Sequence, residues 1–231
     1  MTFEFCIDSI EGAIAAQQHG AKRVEICAAL ELGGLTPSMG LIEQCALQSS
    51  AEVHVMIRHV AGGFVYDLND LKVMKNDIRA SKTAEACGVV FGCLTPEGEL
   101  DLPKTKALVE VARQIDLETT FHRAFDTCKD PFQTMEQLIE LGVTRILTSG
   151  QQKNISNGTD LIRRLVTQAN GRIQIMAGGG VNAYNALQLA QTGVDALHFT
   201  IHHKDLAQHE LGMGTRNSID QGKITSILSL F

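Results

Sequence analysis

The chain has 231 residues, of which 44% are hydrophobic and 20% are charged, and its formal net charge is −6. A chain of this size builds one large globular domain or two small ones. The sequence has no basic patch and no apolar run near the roughly 20 residues that span a bilayer, so we expect neither a nucleic-acid nor a membrane partner. Because the N-terminus lacks the features of a signal peptide, we predict a cytoplasmic protein.

The six cysteines form no C-x-x-C pair and no zinc-type spacing. They stand at positions 6, 27, 45, 87, 93 and 128. This spacing favours free thiols in a reducing compartment over a disulfide framework.

Short β-branched or aromatic runs alternate with longer segments of helical periodicity along the chain. The predicted strands are Phe3–Ile7, Arg23–Cys27, Val53–Arg58, Gly88–Gly92, Thr119–His122, Arg145–Ser149, Ile173–Ala177 and Ala196–Thr200. Eight such units without a composition break favour closure over an open doubly wound sheet. We therefore predict one α/β domain over residues 1–231, a single (β/α)8 TIM barrel with a polar stretch at His202–Ser218 and a last helix near Ile219–Leu230.

Four glycines precede predicted strands, where a helix is expected to end in a left-handed residue. They are Gly20, Gly88, Gly142 and Gly193. On a TIM barrel the chemistry belongs at the carboxyl ends of the strands, so those ends are the places to look for a site.

The first two strands carry matching glutamates and cysteines on the face opposite their apolar residues. Period-two alternation points Glu4, Cys6, Glu25 and Cys27 towards the barrel axis. Two converging thiolates suit a soft ion such as Cu(I), whereas the alternative is that the cysteines only fill space at a crowded axis.

Buried glutamates need cationic partners, and two arginines at strand ends are available. Arg58 ends the third strand and Arg123 follows the fifth. We expect Arg58 to pair with Glu25 and Arg123 to pair with Glu4.

The fifth strand ends abruptly in ionisable residues, in the order His122, Arg123 and Asp126. Ionisable groups placed directly after a buried strand usually point into a cleft. They are candidate catalytic residues together with Glu25 and Arg58, and the alternative is a buried salt-bridge network.

Strands six and seven end in small residues, Ser149 and the run Gly178, Gly179 and Gly180. Bare backbone N–H groups in such a loop are suited to hold a phosphate, although the glycines are equally consistent with a tight turn. Strand eight leads from His198 to His202 and His203 without a fixed ligand spacing, so we predict no metal there.

Several segments, in order along nearly the whole chain, resemble those of the CutC family, named for copper homeostasis. The resemblance rests on Arg23–Cys27, Gly33–Gly40, Met56–Arg58, Phe121–Asp126, Leu147–Gly150 and Met176–Val181. It implies a TIM barrel, a cytoplasmic location, homo-oligomers and a Cu(I) role for Cys6 and Cys27.

The chain departs from this family after the third strand. The family usually reads Arg-Pro-Arg-Gly-Gly-Asp-Phe, whereas residues 58–64 read Arg-His-Val-Ala-Gly-Gly-Phe. If that loop binds an anion in relatives, binding here is expected to be weaker or to depend on His59.

These observations leave three functional hypotheses. The first is a cytoplasmic copper homeostasis protein that binds Cu(I) through Cys6 and Cys27. The second is an enzyme acting on a small anionic or phosphorylated compound, held by the glycine run and Ser149. In that enzyme Glu25 or His122 exchanges protons, Arg58 stabilises developing negative charge and Asp126 orients a partner, with Arg123 as a further member of the set. The third is an oligomeric scaffold whose polar interior serves folding alone.

Overall fold

The computed structural model describes residues 1–203 and 217–231, and its eight parallel strands pair in chain order and close into a barrel. The strands are β1 (Thr2–Ile7), β2 (Arg23–Ile26), β3 (Glu52–Met56), β4 (Gly88–Phe91), β5 (Glu118–Phe121), β6 (Arg145–Thr148), β7 (Gln174–Gly178) and β8 (Ala196–Thr200). The helices are α1 (Ile10–Gln18), α2 (Met39–Gln48), α3 (Leu68–Thr83), α4 (Leu102–Gln114), α5 (Pro131–Leu141), α6 (Thr159–Ala169), α7 (Ala186–Ala190) and α8 (Gln221–Leu228). The predicted TIM barrel with a C-terminal helix is confirmed.

Short polar side chains define where most of the helices begin. Ser9, Ser38, Asp67, Asp101 and Asp130 each accept a hydrogen bond from a backbone N–H group in the first turn of the helix that follows. Such caps satisfy donors that have no partner inside the helix. The caps, together with the apolar stripe of each helix, fix where each βα unit turns back onto the sheet.

The barrel wall separates an apolar layer from a polar interior. Outward-facing strand residues such as Phe5, Ile26 and Val55 are fully buried against the helices and form the main core. The alternate positions point to the barrel axis and carry many polar or charged groups that are also buried. Those on the first three strands and on β5, β6 and β8 include Glu4, Cys6, Arg23, Glu25, His54, Thr120, Arg145 and His198.

Gly88 in β4 and Gly92 directly after it each make room for a histidine ring from the neighbouring part of the barrel. A Cβ atom on Gly88 would overlap the ring of His54 on β3. A Cβ atom on Gly92 would lie 2.7 Å from Nδ1 of His122, which follows β5. Gly88 therefore makes room inside the barrel, and the prediction that it ends a helix is wrong.

The other three glycines have the predicted left-handed conformation, with φ of +68° at Gly20, +78° at Gly142 and +87° at Gly193. Helix α3 instead ends at Thr83 with Ala84 as its C-cap, and Glu85 takes the left-handed φ of +66°. The position of Gly88 inside the strand explains the error.

Two short strands and a helix follow β8 in the described part of the chain. Strand β9 (His202–His203) pairs antiparallel with β10 (Ser218–Ile219), and helix α8 follows. Residues 204–216, most of the polar stretch expected at His202–Ser218, lie outside the described residues. Within the described ranges, no helix combines the length and the hydropathy needed to cross a membrane.

Candidate functional site

Two thiols and a carboxyl group converge at the carboxyl end of β1 and β2. Cys6 is in register with Glu25 on the neighbouring strand, and Cys27 lies two residues further along. The two sulfur atoms and a Glu25 carboxylate oxygen all lie within 4.8 Å of one another. All three residues are buried, so the cluster forms a compact set of donor atoms inside the protein.

His198 joins this cluster from β8 and links it to a buried ion pair below. Its Nδ1 is 2.7 Å from Oε1 of Glu4, and its Nε2 is 3.6 Å from Oε2 of Glu25. Glu4 also forms a salt bridge with Arg23. Sequence reasoning did not select His198. Its inward position on β8 was a signal in the sequence, but its register with Glu4 arises only when β8 closes against β1.

Charges are distributed unevenly over this cluster. Burial alone would lower the pKa of His198, but the surrounding acidic groups of Glu25, Cys6 and Glu4 raise it well above its ordinary value. Burial likewise opposes ionisation of Glu4, yet His198 and Arg23 hold its pKa far below the usual range. We therefore assign an imidazolium at His198 and a carboxylate at Glu4.

The pKa values of the two thiols are shifted in opposite directions. A hydrogen bond with Cys27, assisted by His198, lowers the pKa of Cys6 well below its ordinary value, and the same hydrogen bond raises that of Cys27. Burial raises the pKa of Glu25. These shifts favour the thiolate at Cys6 over one at Cys27, while burial opposes ionisation of Glu25, whose Oε2 lies 3.6 Å from Cys27 Sγ.

The predicted pairing of Glu25 with Arg58 and of Glu4 with Arg123 is wrong. Arg58 instead donates to the carbonyl oxygens of Leu32, Gly34 and Gly62, at 2.9, 3.0 and 3.0 Å. The guanidinium therefore fixes the two loops that follow β2 and β3, and it also faces the Phe64 ring at 5.6 Å.

Arg123 and Asp126 form a second polar group on the opposite side of the barrel mouth. Arg123 donates to Asp126 Oδ2 at 2.7 Å and to Ser149 Oγ at 2.9 Å. Asp126 also accepts from the hydroxyl of Thr148 at 2.6 Å and from the backbone N–H groups of Ser149 and Gln151. This carboxylate holds the loop after β6 in place, because its oxygens are occupied by these donors.

His122 is buried beside the cavity as a neutral ring. Its Nδ1 accepts a hydrogen bond from the Ala124 N–H group at 3.1 Å, and burial lowers its pKa to about 3. Its Nε2 has no hydrogen-bond partner among the described residues. The ring packs 4.9 Å from the Phe64 ring, an environment that does not favour proton exchange near neutral pH.

These elements surround a cavity of about 530 Å³ at the barrel mouth. The cluster residues Cys6, Glu25, Cys27 and His198 all line it. Its other walls include Met56, Arg58, Phe64, His122, Arg123, Asp126, Gly179, Gly180, Thr200 and Lys223.

The predicted anion-binding residues separate into two pairs. Gly179 and Gly180 line the cavity with φ of +102° and +106°, and the space where a Gly180 side chain would stand is open. Gly178 and Ser149 are not part of the cavity wall. Gly178 makes room for Leu147 and His198, while the Ser149 hydroxyl is engaged with Asp126 and the Gln152 carbonyl group.

Two further histidines lie against carboxylates rather than in the cavity. His59 Nε2 is 3.0 Å from Asp70 Oδ1 on α3, so the residue that replaces a proline of the family pattern is turned towards that helix. His202 Nε2 is 3.0 Å from Asp8 Oδ1, just after β1.

The fold and site together define a class: a (β/α)8 barrel with a thiol, carboxyl and imidazole cluster at the floor of its mouth. The family model of the CutC family matches residues 1–203. The chain belongs to the CutC family.

Similar proteins agree with this assignment. A family protein CutC from Glaesserella parasuis is 48% identical over 201 residues, covering 87% of this chain and 82% of that protein. A family protein CutC from Pasteurella multocida is 42% identical over 228 residues, covering 97% and 93%. A crystal structure of a proposed copper homeostasis protein CutC from Streptococcus agalactiae superposes with a TM-score of 0.81 at 35% identity, covering 86% of this chain and 97% of that one.

More distant structures share the barrel alone. Thiamine phosphate pyrophosphorylase from Pyrococcus furiosus matches with a TM-score of 0.63 at 13% identity, covering 99% of this chain and 94% of that one. At this identity the likeness describes the architecture and not the activity.

Proposed function

We propose that this protein takes part in copper homeostasis in the cytoplasm by binding Cu(I) as cargo at Cys6 and Cys27. The observation that carries the proposal is the convergence of both sulfurs and a Glu25 oxygen within 4.8 Å at the floor of a cavity. Thiolates are the ligands that a soft ion such as Cu(I) prefers, and two of them satisfy its low coordination number.

The surroundings of the thiols also fit this ion. A Cβ atom on Gly34 would lie 3.1 Å from Cys27 Sγ and 3.4 Å from Met56 Cε, so a thioether side chain packs beside the thiol pair. Thioether sulfur is a soft donor as well, whereas hard ions prefer oxygen ligands. The donor set therefore favours Cu(I) over Mg²⁺ or Ca²⁺.

Two further observations support the proposal. The homologous Streptococcus agalactiae structure is named for copper homeostasis. All six cysteines of the chain are free, which suits a reducing compartment where Cu(I) is the stable oxidation state of copper.

An anaerobic Cu(I) titration against a competing chelator tests this function. We expect one tightly bound equivalent in the wild-type protein and an affinity about a hundredfold lower in Cys6→Ser and in Cys27→Ser, because each loses one of two thiolates. Cys45→Ser is the matched control, since Cys45 is also buried but lies on α2 away from the cavity. Unchanged copper affinity in both cavity variants would reject the site.

A second candidate function is chemistry on a small anionic or phosphorylated compound. It is favoured by the Cys6 thiolate beside the His198 imidazolium, since such a pair is an activated nucleophile. In this function Arg58 and Arg123 hold the anion and Glu25 exchanges a proton, while His122 and Asp126 support the walls of the cavity.

Iodoacetamide labelling at pH 6 tests the second candidate. Cys6 should be alkylated before the other cysteines, and inorganic phosphate should slow this reaction by occupying the cavity. Alkylation of Cys6 no faster than that of buried Cys45 would count against an activated nucleophile.

A further inference from the structure

The cavity above the thiol pair is far larger than a single ion requires. A water molecule accounts for about 30 Å³ of liquid volume, whereas the cavity measures about 530 Å³. Volumes of about 300–1,000 Å³ are typical of pockets for small organic molecules. The space above the cluster therefore fits a compound and not merely the copper that the thiols would hold.

The wall of the cavity is cationic, although the whole chain has a formal net charge of −6. Arg58, Arg123 and Lys223 all line it. Of the two carboxyl groups in the wall, Asp126 is already bound to Arg123, and Glu25 Oε2 lies 3.6 Å from Nε2 of His198. Such a mouth repels a bare cation and attracts an anion.

Lys223 is the cation that is least committed to structure. It comes from the first turn of α8, and its Nζ donates to the Thr200 hydroxyl at 3.0 Å. Within residues 1–203 and 217–231 it forms no salt bridge, and burial lowers its pKa. By contrast, Arg58 is held by three carbonyl groups. Arg123 donates through Nε to Asp126 and through Nη2 to Ser149, and its Nη1 donates to no described residue.

We infer that copper enters this site as a complex with a small anionic thiol compound, whose carboxylates are bound by Lys223 and Arg123 while its sulfur delivers Cu(I) to Cys6 and Cys27. This inference rests on the proposed copper function and names the form in which the cargo arrives. The cationic wall then recognises the carrier, and the thiol pair at the floor recognises the metal.

The exchange is balanced without a redox step. Two Cu–S bonds, one to each of two carrier molecules, break as bonds to Cys6 and Cys27 form, and copper remains Cu(I) throughout. Each proton that a cysteine sulfur loses on binding copper passes to a carrier sulfur that is released. Charge and protons therefore balance for either protonation state of the two cysteines.

The test compares two Cu(I) donors under anaerobic conditions. Transfer is measured from Cu(I) bound to glutathione, which carries carboxylates, and from Cu(I) bound to dithiothreitol, which does not. For the wild-type protein we expect transfer from the glutathione complex to be about tenfold faster at low salt, and this advantage should fall as ionic strength rises. Free S-methylglutathione, which has the carboxylates but no thiol, should slow transfer from the glutathione complex alone.

Variants of Lys223 supply the controls. Lys223→Glu should remove the preference for the glutathione donor, whereas Lys223→Arg should keep it. Lys106→Glu makes the same change in net charge at an exposed position on α4, and it should behave like the wild type.

The outcomes separate this inference from the function on which it rests. If both donors transfer copper at equal rates while the chelator titrations still show weaker Cu(I) binding in the cysteine variants, the inference is wrong and the copper function stands. Absence of Cu(I) binding in the chelator titration would overturn both.

Discussion

Both ends of the barrel interior contain buried polar groups, but the Arg145 guanidinium at one end is more completely paired than the groups at the mouth. At the amino-terminal end, Arg145 donates to Glu118 at 2.9 Å, to Thr120 at 3.1 Å and to Gln174 at 3.0 Å. At the mouth, Glu25 Oε1 and His122 Nε2 lack hydrogen-bond partners among the described residues. Paired charges at the closed end stabilise the fold, whereas incompletely paired groups at the mouth are available to a ligand.

Two buried histidines show the same contrast in charge. Burial lowers the pKa of His54, which lies deeper in the barrel near Arg145 and Arg23, to about 3. His198 at the mouth is equally buried, yet its acidic neighbours raise its pKa. The difference teaches that burial alone does not set the charge of an interior histidine, because the neighbouring charges decide which form is stable.

The largest expected effect comes from removing the pairing at the closed end. Arg145→Met removes a guanidinium that is 1% exposed and leaves Glu118, Thr120 and Gln174 without their donor. We expect the free energy of unfolding to fall by about 3 kcal/mol, because buried Thr120 is left without its donor, whereas Glu118 is half-exposed and regains water. Urea denaturation of the purified protein measures this loss.

The matched variant at the mouth is Glu25→Gln, which keeps the shape of the side chain and removes the charge that burial disfavours. Its unfolding free energy should stay within about 1 kcal/mol of the wild-type value. If Glu25→Gln destabilised the protein as much as Arg145→Met, the two ends would not differ in the way we describe.

A smaller loss is expected where β4 accommodates a histidine ring. Gly88→Ala places a methyl group against the ring of His54, and overpacking of this kind costs about 1–3 kcal/mol. Combining it with His54→Ala should recover most of that loss, because the smaller side chain vacates the space. A double-mutant cycle of unfolding free energies measures the coupling, which should be absent between His54→Ala and Gly142→Ala.

The barrel was predictable from the sequence because each strand shows its own apolar alternation. All eight strands start and end within two residues of their predicted bounds, and the common face of Cys6 and Cys27 follows from period two alone. Side-chain pairing was not predictable in the same way. Glu4 meets His198 only because β8 closes against β1, and that closure and its register are properties of the whole ring.

Gly88 shows a second limit of sequence reasoning. A glycine before a strand usually ends a helix, and three of the four glycines in that position do have a left-handed φ. Gly88 instead lies in register with His54 on the next strand. Its role depends on the ring of His54, which is distant in the chain, and no local pattern carries that information.

The pH dependence of stability sharpens the comparison of the two histidines. His54 has a folded pKa of about 3 and an unfolded pKa near 6.5, so its contribution is complete above pH 6.5 and is lost as the pH falls towards 3. In His54→Leu we expect the decline between pH 6 and pH 4 to be shallower than in the wild type by about 1.4 kcal/mol per pH unit. Urea denaturation at pH 4, 5, 6 and 7 measures both slopes, and parallel slopes would contradict a neutral His54.

The smallest expected effect concerns the two thiols at the mouth, which we expect not to form a disulfide bond with each other. Cys6 is in register with Glu25, so Cys27 lies one strand across and two residues along, which places the two Cα atoms about 8 Å apart. A disulfide requires Cα atoms within about 7 Å, whereas an ion between two sulfurs does not. Treatment with diamide, followed by alkylation and mass spectrometry, should therefore show no Cys6–Cys27 crosslink. If a crosslink formed as readily as copper binds, the two strands would have to leave this register so that the two Cα atoms come closer. The site would then be a redox pair rather than a permanent pair of metal ligands.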